Sequence, residues 1–342
     1  MSRTLTKPRP KKMSTKRRRK LVYISIIAVA ILFLIFFLSS FNGRSDYEVN
    51  GVSSAVLDDA LPDLDSSRRG SKVRLLIIVV SSPTKSATRS VIRETWLSDR
   101  DARYRHFFVV GVAGLSSSVA DSLADESAAH GDILTLSNLA DSYQNLADKV
   151  LGALSLVSGI VHFDHVLKCD DDSFVRVSRL LDEIEKQPQE RLYWGFFKGG
   201  STVHRKGKWQ EPEWFLCDTY LPYALGGGYI LSVDLVRHLV INAGLLQQYR
   251  SEDVSVGTWL SPLRINRVHD VRFDTEFASR GCHESYLITH KQSPEEMRKK
   301  HHHLKSTGKL CPEGHTRSRY SYAYNWTVPP SKCCKDFDVD LP

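Results

Sequence analysis

Three consecutive carboxylates, Asp170-Asp171-Asp172, follow the short apolar run His165-Val166-Leu167-Lys168-Cys169, and a second apolar run, Phe174-Val175, comes after them. An apolar strand that stops at acids puts those acids at the carboxyl edge of a sheet, where open α/β sheets bind ligands. Adjacent carboxylates repel one another, and buried unpaired charge is costly, so a cation is expected among them. A hard divalent ion that holds a phosphorylated substrate fits this chemistry. The competing reading is a solvated acidic turn.

Four other groups of residues could act with the triplet. Arg89 and Arg93, in Arg89-Ser90-Val91-Ile92-Arg93-Glu94-Thr95-Trp96, are four apart and share one helix face. Two guanidiniums there could grip a diphosphate, or they could form ordinary surface salt bridges. Gly226-Gly227-Gly228-Tyr229 allows close backbone approach to a ligand, or is a simple turn. It is not a dinucleotide fingerprint, which disfavours a nicotinamide enzyme. Ser251-Glu252-Asp253 offers a carboxylate for general-base work, and equally a helix cap. His290 ends the short apolar strand of Tyr286-Leu287-Ile288-Thr289-His290-Lys291; it is a metal ligand or a structural histidine.

The elements that must position these groups read as alternating strands and helices. Val73–Val80 is a near-continuous apolar run, as in a buried parallel strand. A helix over 85–97, a strand over 107–112, a helix over 119–130, a short strand over 133–136 and a long helix over 143–157 follow, then the acid-tipped strand. This order predicts an α/β domain with a mainly parallel sheet and helices on both faces. Further on, a helix over 178–186, an aromatic strand over 193–197 and a helix over 233–241 are expected, and the chain after Asp270 reads as loop-rich. The His301-His302-His303 run after Arg298-Lys299-Lys300 reads as a solvated helix end rather than a metal site.

The net charge of +8 misleads, because residues 1–20 hold ten Lys or Arg and no acid, and the other 322 residues carry −2. A near-neutral body argues against nucleic-acid binding. Leu21 to Leu38 is 18 residues without a charge, long enough to span a membrane. The basic cluster before it should stay cytosolic, which predicts a type II anchor. A cleaved signal peptide is the alternative. Residues 39–72 are rich in Ser, Asp and Gly and read as a flexible stem, leaving 73–342 as one lumenal domain. All six cysteines lie on the lumenal side, and their fifteen complete pairings cannot be separated by sequence. Cys169 is expected free and buried, and Cys333-Cys334 a staple for the tail. Asn325-Trp326-Thr327 is the sole glycosylation sequon.

Taken together, the N-terminal anchor, RxxIRxTW, DSYxNLxxK from Asp141 to Lys149, KxDDDSF, the Trp194-Gly195 strand, GGGY, the Glu252-Asp253-Val254 triplet and the late His290 resemble the inverting β-1,3-glycosyltransferases of the Golgi. That family comprises β3-galactosyl- and β3-N-acetylglucosaminyltransferases of GT-A fold. The resemblance covers about residues 73–340. It is nearest to the subgroup acting on the glycosaminoglycan linkage region, through Tyr193-Trp194-Gly195-Phe196-Phe197, Leu221 to Tyr229, Arg272 to Glu276, Thr289 to Ser293 and Pro329 to Cys334.

The resemblance implies roles. Asp172 and His290 would ligate Mn²⁺, Asp170 would bond the nucleotide, and Asp253 would be the general base. Arg89 and Arg93 would help place the donor, with Lys149, Asp171, Gly227 and Gly228 lining the same site. The implied reaction transfers galactose from UDP-galactose to a galactosyl-xylosyl core protein at the Golgi membrane. Alternatives are another β-1,3-galactosyl- or N-acetylglucosaminyltransferase acting on glycoproteins or glycolipids, a non-catalytic lumenal lectin or scaffold, and an inverting hydrolase, which would need a second carboxyl as acid.

Overall fold

A computed structural model describes residues 72–334. The basic tail over 1–20, the apolar span over 21–38 and nearly all of the stem therefore lie outside the described residues. Among the described residues, no helix is long and apolar enough to cross a membrane.

Seven strands form the central sheet: β1 Val73–Val80, β2 Tyr104–Gly111, β3 Ile133–Leu136, β4 Phe163–Asp170, β6 Leu192–Lys198, β7 Tyr223–Ser232 and β8 Asn266–His269, in the order β3-β2-β1-β4-β7-β6-β8. The pairs β2–β3, β1–β2, β1–β4 and β6–β8 are parallel; only β7 runs against its neighbours β4 and β6. The sheet is thus mainly parallel, as the alternation predicts. The order reverses between β1 and β4, which is where an α/β sheet opens its binding crevice.

Both faces are covered. Alternate residues of β1 enter two separate cores, Leu75, Ile77 and Val79 on one side and Leu76, Ile78 and Val80 on the other. Helices α1 Ser86–Glu94, α2 Ser117–His130, α4 Val177–Ile184 and α7 Pro294–Thr307 contribute to the first core, through Val91, Leu123, Leu180 and Met297. Helices α3 Leu146–Ile160, α5 Val233–Ile241 and α6 Glu252–Leu260 contribute to the second, through Leu151, Leu235 and Leu260.

A second sheet of three short strands completes the site. β5 Phe174–Val175 follows the acidic triplet directly and pairs antiparallel with β11 Ile288–Thr289, which also pairs parallel with β9 Phe273–Asp274. The register sets Thr289 opposite Phe174, and Gln292 N donates to Asp172 O at 2.8 Å. His290 is thereby carried to the triplet across 118 residues of sequence.

The chain after Asp270 is loop-rich as expected, and the helix in it, α7, is 14 residues long, started by Pro294 and a capping box between Ser293 and Glu296. Two expectations change here. The glycine run is neither a turn nor a ligand loop but the interior of β7. Cys333 and Cys334 bond to each other, so they close a loop on themselves and do not staple the tail to the body; Cys282 pairs with Cys311. Cys169 is free and buried as expected, and Cys217 is free and exposed. The sequon is exposed at Asn325, whose Oδ1 accepts from the Thr327 amide and hydroxyl.

Candidate active site

The triplet divides in direction. Asp170 and Asp172 turn towards His290, with His290 Nε2 at 3.0 Å from Asp172 Oδ1 and 3.5 Å from Asp170 Oδ2. Asp171 turns back into the sheet edge, where it accepts from Ser81 Oγ at 2.9 Å and Lys85 Nζ at 2.8 Å. The β1–β4 register explains this: Val80 faces Asp170, so Ser81 lies beside Asp171. Asp171 therefore ties the triplet to the end of β1, its two oxygens engaged by Ser81 and Lys85.

His290 is oriented by its other nitrogen. Nδ1 lies 2.7 Å from the Glu276 carbonyl, an acceptor only, so Nδ1 carries the proton and donates. That leaves Nε2 facing the carboxylates. Nε2 and Asp172 Oδ1 are buried and find no well-directed hydrogen bond. Ligand atoms of Asp170, Asp172 and His290 all fall within 4.8 Å of one another. Two carboxylate oxygens and an imidazole nitrogen converging in this way fit a divalent cation, which would take the place of the second imidazole proton. Asp170 joins this group, in addition to the nucleotide contact the resemblance implies for it.

The protonation of the ion-free cluster follows. Burial opposes charge on His290, but Asp170 and Asp172 outweigh it and push the imidazole up to about 9. Burial likewise opposes ionisation of Asp170, and Lys168 together with His290 reverses this, holding the carboxyl well below its usual range. The carboxylates thus favour positive charge at His290. Lys291, at a left-handed φ of 59°, donates from Nζ to Asp172 Oδ2 at 2.7 Å.

Asp253 stands in the first turn of α6. Its Oδ2 accepts from Gly226 N at 3.0 Å and its Oδ1 from Val254 N at 2.9 Å. Burial raises its pKa, against the opposing pull of Lys168. The neighbouring Gly227 packs on His290: a Cβ there would sit 2.7 Å from the ring's Cγ. One at Gly226 would sit 3.3 Å from Asp253 Oδ2. The glycines therefore make room for the Asp253 and His290 side chains at successive residues of β7.

Lys168 couples the two halves and was given no role in the sequence reading. It is buried, and its Nζ donates to Asp170 Oδ1 at 2.9 Å, Gly226 O at 2.7 Å and Glu252 Oε2 at 2.9 Å. Glu252 is buried too and also accepts from Tyr229. A lysine inside an apolar strand must be paired, which is the sequence signal that could have found it.

Three expected donor-binding residues are placed elsewhere. Arg89 is fully buried and forks onto Glu126 at 2.9 and 2.6 Å, and donates to Ser82 O at 2.6 Å. Arg93 forks onto Asp132 at 2.7 and 2.8 Å and also reaches Glu126 at 2.9 Å. Neither guanidinium is free to grip a diphosphate; Arg89 touches the site only through Ser81 Oγ, at 3.2 Å. Lys149 is buried against Asp141 and the Ser81 carbonyl, beneath the end of β1. The helix spacing was read correctly, but the acids that meet these cations come from distant segments.

The Galactosyltransferase family profile matches residues 87–271, which include the triplet and Asp253. Mouse β-1,3-galactosyltransferase 6 is 46% identical over 279 residues, covering 79% of this chain and 85% of its own. A UDP-GalNAc:β-1,3-N-acetylgalactosaminyltransferase 2 of Xenopus laevis is 34% identical over 177 residues, 51% of this chain and 35% of its own. An Arabidopsis thaliana hydroxyproline O-galactosyltransferase is 32% identical over 240 residues, 66% of this chain and 34% of its own. The chain thus spans only about a third of the last two. The galactosyltransferase LgtC, solved with donor and acceptor sugar analogs, covers 66% of this chain and 94% of its own at 14% identity, with a TM-score of 0.34, too low to add to the argument. The chain belongs to the galactosyltransferase family and is an enzyme of the β-1,3-galactosyltransferase type.

Proposed function

We propose that the protein transfers galactose from UDP-galactose to O3 of the galactose in a galactosyl-xylosyl-protein acceptor, with inversion, on a GT-A scaffold. The observation that carries the chemistry is the convergence of Asp172 Oδ1 and His290 Nε2, both without hydrogen-bond partners. Asp172 and His290, with Asp170 beside them, would hold Mn²⁺. When bound, the ion supplies charge stabilisation for the diphosphate leaving group.

The chain's own residues do the rest. Asp253 takes the proton from the acceptor O3–H, and burial, which raises its pKa, makes it the stronger base. O3 forms a bond to the anomeric carbon as that carbon's bond to the UDP oxygen breaks, and the electron pair leaves on the β-phosphate. One displacement turns an α-linked donor into a β-linked product, as in an inverting glycosidase with a hydroxyl in place of water. Lys168 holds Asp170, and through Glu252 the start of α6, in fixed relation, so that base and cation site keep their spacing.

The linkage-region acceptor rests on the motif resemblance around Tyr193–Phe197, Arg272–Glu276 and Thr289–Ser293. The apolar stretch after a basic N-terminus supports a single-pass type II location in the Golgi membrane, and the Cys282–Cys311 bond suits a lumenal domain. A screen of UDP-sugars against a galactosyl-xyloside, with and without Mn²⁺, tests the reading. Turnover with UDP-galactose alone among the donors is expected; turnover only with another sugar, or none with this acceptor, defeats it.

A further inference from the structure

Two large aromatic rings stand exposed beside the site. Trp209, in the long connection between β6 and β7, is 42% exposed, and Phe277, just after β9, is 59% exposed. Their centroids are 6.4 Å apart and their planes meet at 62°, an edge-to-face pair. Single exposed apolar residues are ordinary, but a paired aromatic surface next to a reactive cluster is a binding feature.

Each ring is tied to a different side of the site. Phe277 directly follows Glu276, whose carbonyl orients His290. Arg319 lies with Cζ 4.7 Å from the Phe277 ring centre, and its Nη1 is 3.9 Å from Glu276 Oε1. Trp209 is next to Lys208, whose Nζ lies 5.1 Å from the Tyr143 ring. Tyr143 hydrogen-bonds Ser251, two residues before Asp253, and lies within reach of the Asp253 and Glu252 charges. The aromatic pair therefore bridges the base side and the cation side.

We infer that Trp209 and Phe277 form a stacking platform that positions the acceptor's sugar ring; this rests on the galactosyl-transfer reading above. Topology separates acceptor from donor. The nucleotide crevice opens at the β1–β4 switch point, whereas the segment bearing Trp209 leaves from β6, in the opposite half of the sheet. Galactose presents one face of C–H groups at C3, C4 and C5, and an aromatic face covers it without a polar penalty. Its hydroxyls then lie at the ring's edge, within the neighbourhood of Lys208, Glu276 and Arg319. Asp253 must meet the acceptor hydroxyl, so a platform that reaches its side of the site serves the acceptor.

The test is direct binding, so that it does not depend on turnover. The full chain, saturated with UDP and Mn²⁺, is titrated calorimetrically with methyl galactosyl-β-1,4-xyloside. Trp209→Ala and Phe277→Ala each weaken binding about tenfold. Trp209→Phe stays within about threefold, since it keeps an aromatic face. UDP affinity and the melting temperature of all three match the wild type, which a general folding defect would not allow. Unchanged disaccharide affinity in both alanine variants overturns the platform, as does an equal loss of UDP affinity. Wild-type turnover with UDP-galactose, measured separately, tests the reaction itself: turnover with unaltered variant affinities refutes the platform alone, and absent turnover refutes the reaction alone.

Discussion

Replacing Lys168 by methionine removes the one cation that joins Asp170, Gly226 O and Glu252 in a buried setting. Methionine fills most of the same volume, so the loss is chiefly electrostatic. Breaking a buried pair by removing one partner costs about 3–5 kcal/mol. At roughly 2 °C per kcal/mol for a domain of this size, the melting temperature falls by about 6–10 °C. The deficit depends on pH. Burial already pushes Glu252 up to about 7 even with Lys168 opposite it. Because its folded pKa lies above its unfolded one, Glu252 contributes stability that is full below the unfolded value and is lost as pH rises through the folded value. In the wild type that loss levels off once pH has passed about 7. Without Lys168 the folded value rises further, so the variant goes on losing about 1.4 kcal/mol per pH unit beyond pH 7. Adding Glu252→Gln removes the group that titrates, and the double variant recovers more than half the loss and shows no such slope. Thermal melts of the wild type and of the single and double variants at pH 6, 7 and 8 read this directly. A Lys168→Met protein that melts within about 2 °C of the wild type at all three values refutes the coupling role.

Asp253→Asn keeps the fold and UDP binding but lowers kcat by about 10²–10⁴, the share of a general base. In the wild type, kcat rises with pH through the raised value of Asp253, and the variant's residual rate lacks that limb; a pH–rate profile of both shows it. His290→Ala weakens Mn²⁺ binding by about 100-fold or more, followed by electron paramagnetic resonance of free Mn²⁺, while the melting temperature of the metal-free protein changes far less. Gly227→Ala forces the His290 ring away from a Cβ that would sit at 2.7 Å, destabilising by about 1–3 kcal/mol and weakening Mn²⁺ binding. Gly159→Ala in α3, where nothing lies within 4 Å, is the matched control and is neutral or stabilising by about 0.5–1 kcal/mol.

Much of the scaffold could be read from periodicity. Ile133–Leu136 and Val233–Ile241 have the bounds the sequence implied, and the continuous apolar run of β1 announced a strand buried on both faces. The glycine run was misread because glycine lowers strand propensity; its reason lies across the fold, in the His290 and Asp253 side chains that need the space. The convergence was legible where chemistry is concentrated in few residues: Asp170, Asp172 and His290 come together, and Asp253 stands against Gly226. It was not legible where partners are far apart in sequence. Arg89 and Arg93 looked available because Glu126 and Asp132 sit more than thirty residues away. Ser81, which links Arg89 to Asp171, is an ordinary strand-end serine until the β1–β4 register places it. The cap of α7, Ser293-Pro294-Glu295-Glu296, was visible in local sequence and was passed over for the loop-like segment before it.

The central claim joins a cation site at Asp170, Asp172 and His290 to a base at Asp253 in one inverting transfer. The most direct measurement incubates the full chain with UDP-galactose and methyl galactosyl-β-1,4-xyloside and determines the product linkage by NMR, with Mn²⁺ and after chelation. A trisaccharide with a new β-1,3-linked galactose, formed with Mn²⁺ and lost on chelation, is predicted. An α linkage, or transfer that proceeds undiminished after chelation, would contradict the account.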